Sequence, residues 1–236
     1  MRERPVSSVP GLVIVLLLSV LCSQLAWRFF QPSRQAQVET LLAPPAFTTL
    51  NLMSAGEPIA MAKTLTLYLQ AFDNQAGLNV SLAQFDYTVV RAWLARSLEL
   101  DPAGQYPLFV ASRLYGEIAD QSKQRLMLEF VYQAFLQDPD RRWAALAHAT
   151  FLAKHRLNDL PLAVKYANAL RTHVGHDKAP HWVTQMEIFL LEDINELQSA
   201  QILLGSLLQN GQITDPHELH FLEQRLLALE RKVAAP

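Results

Sequence analysis

Seven histidines are the residues whose chemistry is tested first. His148 and His155 stand seven apart, two turns along one helix face. His173, His176 and His181 cluster around Asp177, just past a helix end, where imidazolium is favoured by the helix dipole. His217 and His220 fall on a late helix and read as solvated. None of these spacings is that of HExxH or of a structural zinc site, so a His-based metal protein is the least favoured reading. The one cysteine, Cys22, lies in an apolar run and excludes an intramolecular disulfide, a CxxC pair and a cysteine-rich zinc site. It is also a poor nucleophile in such surroundings. No GxSxG, P-loop or GxGxxG occurs. The densest carboxylates are Glu187, Glu192, Asp193 and Glu196, read as a solvated face. Arg141 and Arg142, beside Asp138 and Asp140, read as a surface charge cluster. The expectation is therefore no enzyme, no catalytic residue, no metal and no cofactor.

Composition agrees with a binding role. Of 236 residues, 50% are hydrophobic, 18% are charged and the net charge is −2, which supplies no basic field for nucleic acid. Leucine (41) and alanine (29) dominate while glycine is scarce (8), which favours helix over strand.

Part of the apolar excess is local. Leu12 to Cys22 is interrupted only by Ser19, and the run from Val9 to Trp27 is long enough to cross a bilayer. Arg2 and Arg4 precede it, and Trp27, Phe29 and Phe30 flank Arg28 beyond it, as at a membrane interface. An uncleaved signal-anchor is favoured over a cleaved signal peptide, because Gln24-Leu25-Ala26 is no good cleavage site. A lipoprotein signal ending at Cys22 would need a small residue at Leu21. The basic residues on the two sides nearly tie, and the short first tail favours a cytoplasmic N-terminus. The reading is a single pass through a bacterial inner membrane with a periplasmic body; a cytoplasmic body is the alternative.

Residues 1–30 thus form the tail and anchor, and 31–56, with Pro32, Pro44 and Pro45, a linker in which Ser33 to Leu42 could be a short helix. From Glu57 the spacing predicts helices over 57–72, 86–100, 107–119, 122–137, 141–156, 160–173, 179–193, 196–209 and 216–233. Asp86, Asp159 and Asp215 are the predicted N-caps. No window alternates with period two, so no sheet is expected.

The helices repeat. Leu98-Glu99-Leu100-Asp101-Pro102 is echoed 37 residues on by Phe135-Leu136-Gln137-Asp138-Pro139. Leu157-Asn158-Asp159-Leu160-Pro161-Leu162-Ala163 is echoed, also at 37, by Ile194-Asn195-Glu196-Leu197-Gln198-Ser199-Ala200. One register then aligns Val90, Met127, Ala163 and Ala200, with Leu94, Val131, Ala167 and Leu204 four residues on. Asn158-Asp159-Leu160-Pro161-Leu162-Ala163 with Tyr166-Ala167 and Leu170 resembles the turn and second helix of the tetratricopeptide repeat (TPR) family. The chain departs from the family in a longer period, in first helices without the paired aromatic and glycine, and in an extra loop at Asp73 to Phe85.

The resemblance implies an all-α chain: a transmembrane helix, a degenerate TPR-like α-solenoid of about four helix pairs over 57–215, and a capping helix over 216–236. It also implies a groove for partner segments, lined in this register by Phe109, Ser112, His148, Leu152, His155, Trp182, Gln185 and Phe189. Leu219, Leu222, Leu226, Leu229 and Val233 step 3, 4, 3, 4 and either pack on the last repeat or form a seam for a partner helix. In layout the chain is similar to bacterial inner-membrane TPR assembly factors. That implies a membrane-anchored scaffold for an envelope complex, with envelope or membrane proteins as partners and homo-oligomers possible. A permanent accessory subunit of a membrane complex is the alternative.

Overall fold

A computed structural model of the chain describes residues 10–30, 40–72, 74–75, 78–175, 177–209, 211, 213 and 215–234. It divides into two compact units, Met1–Val38 and Glu39–Pro236. The first contains one helix, α1 (Gly11–Phe30), of 20 residues, none of them buried. At 1.5 Å per residue it spans about 30 Å, the thickness of a bilayer's hydrocarbon core. It is thus long and apolar enough to cross a membrane. Its two serines satisfy their hydroxyls within the helix, Ser19 Oγ donating to Leu16 O and Ser23 Oγ to Ser19 O. That lowers the cost of placing them in lipid.

The second unit is helical: α2 (Phe47–Met53), α3 (Pro58–Ala71), α4 (Tyr87–Leu100), α5 (Tyr106–Arg113), α6 (Gln121–Gln137), α7 (Pro139–His155), α8 (Leu160–His173), α9 (His181–Asp193), α10 (Leu197–Gln209) and α11 (Pro216–Ala234). The predicted helices fall where the periodicity puts them. The three predicted caps form: Asp86 accepts from Thr88 N–H, Asp159 from Leu162 N–H and Asp215 from His217 N–H, at 2.8–3.0 Å. Asp120, not singled out in the sequence, caps α6 through the N–H groups of Ser122 and Lys123.

Four expectations need correcting. The stretch 31–56 is not all linker: α2 packs on α3 and α4, Leu50 is buried, and Leu42 O accepts from Trp93 Nε1 at 2.8 Å. A short helix over Ser33 to Leu42 falls mostly outside the described residues, and 40–42 are not helical. The helix expected over 107–119 breaks after Arg113 into a 3-10 turn, Tyr115–Glu117. Gly116 sits where a Cβ would come within 3.1 Å of Ala111 O and of Leu152 Cδ1, so the turn is pressed against α7 and a larger residue would have to push these neighbours back. Among the described residues the one strand pairing is a two-residue antiparallel one, Asn74–Gln75 with Leu78–Asn79, in the extra loop.

Packing follows chain order. Each helix from α3 to α11 packs on the next, and the further pairs α4 with α6 and α5 with α7 join alternate helices. The register positions Val90, Met127, Ala163 and Ala200 are all fully buried, as are Leu94, Val131, Ala167 and Leu204. The loop echo is repeated in the backbone: Asn158 and Asn195, 37 apart, both adopt left-handed φ, 51° and 63°. Asparagine is the residue other than glycine that tolerates this conformation best, and here it ends α7 and α9.

Polar cross-links span about one period as well. Arg125 pairs with Asp159, Lys154 with Asp193, Gly175 N–H donates to Asp140, and Ser97 Oγ donates to Ala62 O. Arg125–Asp159 and Lys154–Asp193, 34 and 39 residues apart, reach from α6 to the start of α8 and from α7 to α9, while Ser97–Ala62 and Gly175–Asp140, each 35 apart, tie α4 to α3 and the end of α8 to α7.

Two of the charged clusters are structural rather than solvated. Arg142 is only 5% exposed. Its Nη1 donates to Ala134 O (2.7 Å) and Gln137 Oε1 (3.3 Å), and its Nη2 to Pro102 O (2.8 Å). One guanidinium thus ties the end of α6 and the α4–α5 loop to the start of α7. Glu192, expected on a solvated face, is enclosed and takes a bidentate pair from Arg225 at 2.8 and 2.7 Å. Glu187 is buried too, accepting from Arg171 Nε and Asn168 Nδ2.

Candidate functional site

The helices α5, α7 and α9 carry the predicted groove residues, and the structure sorts them. Phe109 and Trp182 are half-exposed, His155 is exposed and His148 is partly so. Leu152 is a core residue, enclosed at 1% exposure. It cannot touch a partner and is removed from the face. Ser112 is equally enclosed and its hydroxyl donates to Phe109 O at 3.3 Å.

Gln185 and Phe189 are held by α11. Gln185 Nε2 donates to Glu218 at 2.6 Å, and the Arg225 guanidinium lies 5.8 Å from the Phe189 ring centroid. The last helix therefore covers that end of the face. It does so with the apolar stripe read as a possible partner seam. Leu222 and Leu229 are fully buried, and Leu219 and Leu226 pack around them against α9 and α10. Val233, in the last turn, is partly buried. The stripe is spent within the chain, so it offers no coiled-coil seam.

Two exposed aromatics belong with the face and were missed. Tyr106 stacks on Phe109 with centroids 6.1 Å apart, and Phe151 lies 4.5 Å from His155 and 6.2 Å from His148. His148, Phe151 and His155 step 3 and 4 along α7, the spacing of one helix face, and that was the available signal. Trp143 meets Trp182 edge-on at 6.2 Å, linking α7 to α9. The result is a run of large rings, Tyr106 and Phe109 on α5, Phe151 on α7 and Trp182 on α9, each about half in solvent.

Between α5 and α7 this face holds a cavity of about 130 Å³. Leu108, Phe109 and Ala145 supply apolar wall, and Arg113, Arg141, Arg142 and His148 supply polar groups. Among the described residues no carboxylate lines it. Acids near its rim are Glu117, 3.4 Å from His148 Nε2, Asp138, 3.1 Å from Arg141 Nε, and Asp140 beside Arg141. Burial, then the Arg113 charge, push the His148 imidazole below its ordinary value, and Glu117 opposes them. The ring is therefore neutral at pH 7. Arg113 stacks over Phe109 at 5.8 Å.

The remaining histidines do not converge. His173 Nδ1 is within 2.8 Å of Thr172 Oγ1 and 3.0 Å of Ala169 O, His181, His217 and His220 are exposed, and His176 lies outside the described residues. Among the described residues no group of three or more His, Cys, Asp or Glu is placed to hold a metal ion. The chain matches no family model, no curated protein and no solved structure.

Proposed function

We propose that this is a single-pass membrane protein whose TPR-like repeat body binds a protein partner and helps organise a cell-envelope complex. α1 is the anchor, and the body lies on the periplasmic side of a bacterial inner membrane. The observation that carries the reading is the run of half-exposed rings on α5, α7 and α9. Scattered exposed apolar residues are ordinary, but large rings gathered on the corresponding helices of successive pairs are the composition of an interface. The equal burial of the register positions supports the repeat build. Anchoring adds to binding, because a partner in the same membrane meets the face at raised effective concentration.

The test is co-purification from solubilised membranes. Phe151→Ala with Trp182→Ala, in the full chain, is expected to cut recovery of the bound protein by about tenfold or more, since aromatic anchors dominate binding energy. Both side chains are half-exposed, so the loss of stability should be modest and the variant should remain folded at assay temperature, which a thermal melt checks. Unaltered recovery would reject the reading.

A further inference from the structure

We propose that the cavity between α5 and α7 is a specificity pocket for one internal acidic side chain, aspartate or glutamate, of the partner segment. The inference rests on the protein-binding reading above and names what the face selects.

Size comes first. About 130 Å³ is well below the roughly 300–1,000 Å³ of small-molecule sites, and suits a single side chain. Charge comes second. Three arginines line the cavity and, among the described residues, no carboxylate does. Arg141 is shared with Asp138, whereas Arg113 has only the Phe109 ring, so its donors are open to an incoming carboxylate. A third observation is independent of both. Arg142, nineteen-twentieths buried, keeps its Nε without a hydrogen-bond acceptor among the described residues. A buried unsatisfied donor is costly, and the Arg142 charge in the cavity wall has no salt bridge among the described residues to offset it. The half-exposed Phe109 and Tyr106 flank the entrance and give the neighbouring residue of the segment an apolar seat.

An anion there also changes His148. Its ring faces Arg113, Arg141, Arg142 and Glu117. A bound carboxylate offsets the Arg113 charge and favours the imidazolium, so binding strengthens as the pH falls toward the lowered range of this imidazole.

The probe is a library of random dodecapeptides displayed as closed loops, selected on the full-length protein in detergent. The expected result is enrichment of Asp or Glu at one position beside an apolar residue. Replacing that acid by its amide should weaken binding about tenfold, and Arg113→Gln with Arg141→Gln should abolish the preference. Both arginines are exposed, so those variants should fold. Selected loops without acidic preference, no selected loops, or selection only of linear peptides with a free C-terminal carboxylate would each overturn the proposal. Such an outcome leaves the protein-binding reading standing if the Phe151 and Trp182 substitutions still release the native partner. If they do not, that reading fails by itself.

Discussion

Arg142→Met will lower the stability of the helical body by about 2–5 kcal/mol, because methionine fills the space and makes none of the bonds. The arginine joins three chain segments: Pro102 O in the loop after α4, 40 residues away, Ala134 O near the end of α6, eight residues away, and its own helix α7. Both carbonyls lose a charged donor in a site that is nearly closed to water. For a unit of about 200 residues each kcal/mol corresponds to roughly 2–4 °C, so the thermal midpoint should fall by about 5–15 °C. Arg142→Lys should give an intermediate loss, since an ammonium cannot span the fork that the guanidinium spans. The adjacent Arg141, largely exposed and paired only with Asp138, should cost less than about 1 kcal/mol when changed to methionine. Circular dichroism melts of the three variants decide it. Equal effects at 141 and 142 would show that the staple contributes nothing.

Ala163→Leu and Ala200→Leu test the repeat register itself. Both alanines are fully enclosed and stand 37 residues apart at equivalent places on α8 and α10. A leucine at either forces the crossing helices apart, at a cost of about 1–3 kcal/mol. The two sites lie in successive helix pairs, so the costs should add to about 2–6 kcal/mol in the double variant. Ala60→Leu, on the exposed side of α3, serves as control and should stay within about 0.5 kcal/mol. Denaturant titration gives the numbers. A leucine tolerated at one site and not at the other would break the equivalence on which the repeat reading depends.

Much of this could be read along the chain, and the reasons differ by residue. Capping at Asp86, Asp159 and Asp215 is local: a side chain meets an N–H two or three residues on, so neighbours in sequence suffice. The register was legible because burial repeats with the helix pair. Arg142 was not, since its acceptors are backbone carbonyls, which every residue carries and no residue type marks. Glu192 misled for a similar reason, its partner Arg225 being 33 residues away on a helix read as a plain cap. Leu152 was assigned to the face in place of Phe151 because one residue along a helix turns the side chain by about 100°. α2, at 7 residues, is too short to show a period at all.

The proposed function requires one surface of the helical body to act as the binding face of a membrane-anchored chain. Photo-crosslinking from single positions of the full chain, in native membranes, tests that most directly. A photoreactive residue at position 106, 151 or 182 should capture one and the same protein. The same residue at 136 or 202, exposed on the intervening helices α6 and α10, should not capture it. Capture of that protein from 136 and 202, with none from 106, 151 and 182, would contradict the account.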